Sequence, residues 1–106
     1  MSGSRIIIAA EDRLDNVHPG DILREDFLIG SEIPIAEVAN GTGIDPAIMA
    51  DIVASRRDID AAIDSRLTRY FRMSEGFFLR LQNSYDIEEV ERAEGDALDR
   101  IVPRAA

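Results

Sequence analysis

The sequence has no cysteine, no tryptophan and no lysine, and it carries a single histidine. Without cysteine there is no disulfide, no thiolate nucleophile and no thiolate metal site, and nothing calls for an oxidising compartment. A Ser–His–Asp set would have to rely on His18 alone. His18 stands beside Pro19 and reads as the start of a helix. The acids Glu88, Glu89, Glu91 and Glu94 lack the glycine turn and alternate ligand spacing of a calcium loop, so they read as a solvated helix face. No enzyme activity, cofactor or metal site is expected. The strongly apolar N-terminal run, Ile6-Ile7-Ile8-Ala9-Ala10, is too short to cross a bilayer or to form a signal-peptide core, and acids follow it at once. The expected location is cytoplasmic, with no membrane partner.

What the chain does have is 106 residues at 45% hydrophobic content, enough for one globular domain and one core. It is also strongly acidic. Asp and Glu total 21 against 12 basic residues, all Arg, for a net charge of −9. The excess is concentrated at the C-terminus, where Asp86, Glu88, Glu89, Glu91, Glu94, Asp96 and Asp99 face only Arg92, Arg100 and Arg104. The stretch from Asp58 to Ser74 is neutral. Such a chain repels a phosphate backbone at long range, so DNA affinity has to come from local arginines, and the overall charge suits a basic protein partner.

Apolar periodicity and capping residues predict an all-α fold. Residues 1–17 form an N-terminal arm. Pro19 opens a helix at a first-turn position and Ile22, Leu23, Phe27 and Leu28 give it an apolar face. Ile35, Val38 and Ala39 fit a short second helix ending at Gly41-Thr42-Gly43. Asp45 as N-cap with Pro46 behind it starts the third, whose buried stripe is Ile48, Met49, Ile52 and Val53. Asp58 or Asp60 caps a fourth helix lined by Ile59, Ile63, Leu67 and Tyr70 or Phe71. Ser74 caps a fifth through Phe77, Phe78, Leu81 and Tyr85. The expected spans are 19–29, 35–41, 46–54, 60–71 and 75–85. Residues 18–87 make the domain, and 88–106 an acidic tail able to add a helical segment.

The middle of the chain has the pattern of a helix-turn-helix. Ala39 supplies the small residue at the helix crossing, and Gly43, four positions on, tolerates the left-handed turn. Ile44, Met49 and Ile52 fall where apolar residues dock the second helix of the motif. An ordinary αα-hairpin has the same elements, but the flanks separate the two. His18-Pro19-Gly20-Asp21-Ile22-Leu23-Arg24-Glu25-Asp26-Phe27-Leu28 resembles the opening of the HigA-type antitoxins, a branch of the lambda-repressor-like (XRE) regulators. Phe77-Phe78-Leu79-Arg80-Leu81-Gln82-Asn83-Ser84-Tyr85-Asp86 resembles the same family's closing signature, and the resemblance covers residues 18–87. It implies a five-helix domain, a homodimer, binding to the operator of its own operon and neutralisation of a small basic RelE-like ribonuclease toxin.

The residues at the reading positions depart from that family. Where Ser, Arg, Gln or Thr is usual, this chain has Asp45, Pro46, Ala47, Ile48, Ala50 and Asp51. The alanines and Ile48 can offer at best a thymine-methyl contact, and the aspartates pair favourably only with a cytosine amino group. Pro34-Ile35 replaces a polar pair at the start of the second helix. Arg56 and Arg57, after Ser55, remain for phosphates. The candidate DNA surface is therefore Asp45, Pro46, Ala47, Ala50, Asp51, Ser55, Arg56 and Arg57. Two readings stay open: an antitoxin-like regulator that binds operator DNA, and a helix-turn-helix scaffold that has lost DNA reading and serves only as a protein-interaction module. Phe77, Phe78, Leu81 and Tyr85 exceed what one short helix buries in a small domain and are assigned to the dimer interface. The arm from Arg5 to Ala10 and the acidic tail are expected to order on binding a partner.

Overall fold

The computed structural model describes residues 14–105, so the expectation for Arg5 to Ala10 lies outside the described residues. Five helical stretches fold the chain, and no strand occurs among the described residues. Helix α1 (Pro19–Ile22) runs directly into a π-helical segment (Leu23–Ile29); α2 (Ile35–Thr42), α3 (Pro46–Val53), α4 (Ala61–Phe71) and α5 (Phe77–Asp99) follow. The predicted starts agree to within two residues, and at α1, α3 and α4 the reason is a cap formed by neighbouring residues. Asp45 accepts from the N–H groups of Ala47 and Ile48. Asp60 accepts from Ile63 at 2.9 Å and is the cap of α4. Asp58 instead meets Nε2 of His18 at 3.1 Å. His18 closes a capping box, its Nδ1 accepting from Gly20 while Asp21 accepts from the His18 N–H.

Three expectations need correction. The first helix is not regular beyond Ile22. Its i→i+5 pitch brings Leu23 and Leu28, five positions apart, to the core together, and the C-terminal end closes with Gly30 N–H donating to the Glu25 carbonyl. Ser74 does not cap the fifth helix: its hydroxyl accepts from Arg80. The residue at the N-cap is Gly76, at φ 84°, and it offers no side chain. The start of α5 is capped across the fold by Asp64 of α4, 1% exposed, whose carboxylate accepts from the N–H groups of Gly76 (2.9 Å), Phe78 (2.8 Å) and Leu79 (3.1 Å). The third correction is to the length of α5. It does not stop near Tyr85 but continues through the acidic stretch to Asp99, bending only at Glu94.

Leu23, Val38, Met49, Ile52, Leu67 and Phe78 are fully buried and form one core. Phe27 joins it through edge contacts with Phe71 and Phe77 and a tilted contact with Phe78. Phe78 is thus removed from the predicted dimer interface: its own chain already covers it completely. Phe77 and Leu81 pack half-buried on the same core, and the Tyr85 ring stands edge-on to His18 at 4.9 Å. Exposed apolar side chains further along are Ile87, Val90, Leu98 and Ile101, and others lie elsewhere at Leu14, Val17, Ile29, Ile35 and Val102. No helix among the described residues is long and apolar enough to cross a membrane.

Candidate nucleic-acid interface

Helices α2 and α3 make the turn that the sequence pattern requires. Ala39, Ile44, Met49 and Ile52 are all buried, and Gly43 takes the left-handed conformation (φ 74°) between the helices. The end of α2 is held from two sides. The Thr42 hydroxyl donates to the Val38 carbonyl and accepts from the Ile44 N–H, while Arg66 of α4 donates to the Thr42 carbonyl at 2.8 Å. Gly41 is required for a second reason: a Cβ there would sit 2.3 Å from the Tyr70 ring.

The far end of α3 is fastened to α1. A Cβ on Gly20 would lie 2.0 Å from the Ile52 carbonyl oxygen, so only glycine permits this approach. Arg24 donates to the Val53 carbonyl at 2.6 Å and to Asp21 at 3.0 Å. Ser55, in a left-handed conformation at φ 60°, donates its hydroxyl to the same Asp21 oxygen at 2.6 Å. The Ser55 and Arg24 hydrogen bonds hold the Asp21 carboxyl below its usual range despite partial burial. Asp21, Arg24 and Gly20 were not among the candidate site residues. The nearest signal in the sequence is their place in the His18–Leu28 segment, which says nothing of where they reach.

With both ends of α3 fixed, the fate of each predicted reading residue is clear. Asp45, Pro46, Ala47 and Ala50 lie exposed at the start of the helix and one turn on. Ile48 is turned inward and packs half-buried on the core. The Asp45 carboxylate is engaged by its own helix N-terminus. Asp51 forms an ion pair with Arg56 at 3.0 Å. The Ser55 hydroxyl is committed to Asp21 rather than to the outer face. Arg57 is exposed and makes no ion pair among the described residues. Asp45, Pro46, Ala47 and Ala50 are therefore exposed on α3 with Asp51 beside them, Arg56 is drawn to Asp51, and both acids have partners.

The described residues hold no cluster of three or more His, Cys, Asp or Glu arranged for a metal ion. Apart from α3, the notable concavity is an open apolar groove of about 480 Å³ between the π-helical segment and α2, lined by Leu28, Ile29, Ile33 and Ile35 with Arg24 and Glu32 at its rim.

No protein-family profile matches the chain. It is 30% identical over 97 residues to virulence-associated protein I of Dichelobacter nodosus, a match covering 92% of this chain and 89% of that protein. Among solved structures it is similar to the antitoxin HigA of Pseudomonas aeruginosa, determined with the higBA promoter. The identity is 34%, the TM-score 0.79, and the match covers 86% of this chain and all of that one. An addiction module antidote protein of the HigA family from Coxiella burnetii superposes equally well, at 26% identity and TM-score 0.79 over 86% of this chain and all of that one.

Proposed function

Because the chain belongs to the HigA-type antitoxin family, we propose that it is an antitoxin that binds operator DNA through α3 and neutralises a basic RelE-like ribonuclease toxin. The observation that carries the DNA half is the state of the two aspartates on the reading helix. Unpartnered, Asp45 and Asp51 would repel phosphates and the acceptor-rich groove. One of them caps the helix and the other faces Arg56, and with Arg57 the formal charge of residues 45–57 is zero. Arg57, which makes no ion pair among the described residues, is available at the end of the motif, where a phosphate contact belongs.

The partner half rests on charge. A protein of net charge −9 attracts a ribonuclease that is basic because it holds RNA phosphates, and the acids of α5 offer a matching surface. A second copy of the chain is the other expected partner. Two half-sites need two reading helices. The exposed side chains Ile87, Val90 and Leu98 of α5 support a contact that extends along this helix beyond Phe77, Leu81 and Tyr85.

The test is direct. DNA from immediately upstream of the gene is titrated in gel shift across a salt series. Operator binding gives a shift that the Arg57→Ala variant weakens uniformly, with the salt slope flattened by about 1. The neighbouring gene product is co-expressed with a tag on either partner, and a basic protein should co-purify. Failure of the promoter fragment to bind, with the complex intact, would leave a protein-interaction module.

A further inference from the structure

We propose that the operator is read through thymine methyl groups by an alanine face of α3, an inference that rests on the operator-binding reading above. The outward stripe of this helix runs through positions 47, 50 and 51, the i, i+3, i+4 spacing of one helical face. Ala47 and Ala50 are exposed, and half-exposed Asp51 beside them pairs with Arg56. Asp45 is held by the helix N-terminus, Ile48 is packed inward, and the Ser55 hydroxyl is bonded to Asp21. Asp45 and Asp51 are thus each engaged through one carboxylate oxygen. What α3 offers a base edge besides those partnered carboxylates is a pair of methyl groups.

In the major groove the thymine C5-methyl is the one apolar mark on a base edge, and alanine is among the side chains that match it. The rise from Ala47 to Ala50 is about 4.5 Å, a little more than one base-pair step. Each half-site should then be recognised by the presence of a methyl on one or two successive steps, with no bidentate hydrogen bond to guanine or adenine from this helix. Short side chains also require close approach, and the clamp of α1 on the far end of α3 keeps Arg24 and Ser55 out of the space between helix and groove.

The experiment uses the full chain and the DNA upstream of its gene, amplified once with thymidine and once with deoxyuridine, which differ only by the methyl. Removing a methyl from an apolar contact weakens binding about fourfold, so one contact per copy in a dimer gives a loss of about 15-fold. The Ala47→Ser/Ala50→Ser variant keeps side-chain size while replacing the methyl face by hydroxyls, and its two fragments should bind within threefold of each other. A loss below threefold for the native chain overturns the methyl reading while leaving operator binding standing. A large loss that persists unchanged in the serine variant overturns its assignment to Ala47 and Ala50. If neither fragment binds at low salt, operator binding itself is overturned, and this inference with it.

Discussion

Replacing Asp64 by alanine removes the one group that terminates α5. Its two oxygens receive three backbone donors, and each has a different exposure to water. The Phe78 N–H is buried, and leaving such a donor unpaired costs about 1–3 kcal/mol. The Gly76 and Leu79 N–H groups are only partly buried, so water can reach them, and their loss resembles that of an ordinary N-cap, about 1 kcal/mol. Gly76 has no side chain to substitute, and the Ser74 hydroxyl is occupied by Arg80. Asp64→Ala should therefore destabilise the fold by about 2–4 kcal/mol, lowering the melting temperature by about 10–20 °C in a domain of this size. Asp64→Asn retains one acceptor oxygen but turns an N–H₂ group toward the remaining donor, and should cost about half as much. Urea unfolding followed by circular dichroism at one fixed protein concentration measures both, the fixed concentration being needed because association shifts apparent stability. An Asp64→Ala loss below about 0.5 kcal/mol would mean that α5 does not depend on this carboxylate.

Two glycines should respond to alanine with opposite signs. Gly20→Ala drives a methyl into the Ile52 carbonyl and should cost at least about 2 kcal/mol, whereas Gly95→Ala meets nothing within 4 Å and should gain about 0.5–1 kcal/mol by thermal melting; equal effects would contradict the packing of α1 on α3. Asp21 is held below its usual carboxylate range by Ser55 and Arg24, so its contribution is complete above the unfolded value of 3.8 and disappears as pH falls through the lower folded value. Urea midpoints between pH 6 and pH 3 should fall less steeply in Asp21→Asn than in the native chain, and parallel acid limbs would remove Asp21 from the account. Val90→Glu puts a charge in the exposed apolar row of α5 and should convert a dimer to an 11.7 kDa monomer in light scattering; a dimer unchanged by it lies on another surface.

The parts of the fold legible in the sequence were those decided within a turn or two of chain. Asp45-Pro46, Asp60 and the Ala39–Gly43 spacing fix local backbone and capping, and the structure has them where the pattern placed them. Contacts closed by distant partners were not legible. Asp64 looks like one acid in a neutral stretch, and only the folded chain brings it to residues 76–79. Periodicity identified Phe78 as apolar without revealing whether its own chain or a second copy would cover it. Gly95 and the run of acids diluted the signal beyond Asp86, yet α5 persists because nothing there caps or breaks it before Glu94. For the candidate DNA surface, the sequence identified the exposed residues and the weakness of their chemistry. It gave Asp45 as a helix cap but did not show that Asp51 pairs with Arg56 or that Ser55 is committed to Asp21, 34 positions away.

The clamp at the far end of α3 divides that helix into two economies of change. Residues 52–55 are bound to residues 20–24 by a carbonyl pressed on a bare glycine, an arginine and a shared carboxylate, so a substitution in either set demands an answer from the other. Residues 46, 47, 50 and 51 face outward and answer to nothing within the domain except Asp51 to Arg56. The outward face can therefore be rewritten as a cassette while the mounting stays fixed: a new quartet at 46, 47, 50 and 51 changes what α3 presents without touching the core, and on the proposed operator-binding reading target can diverge faster than fold.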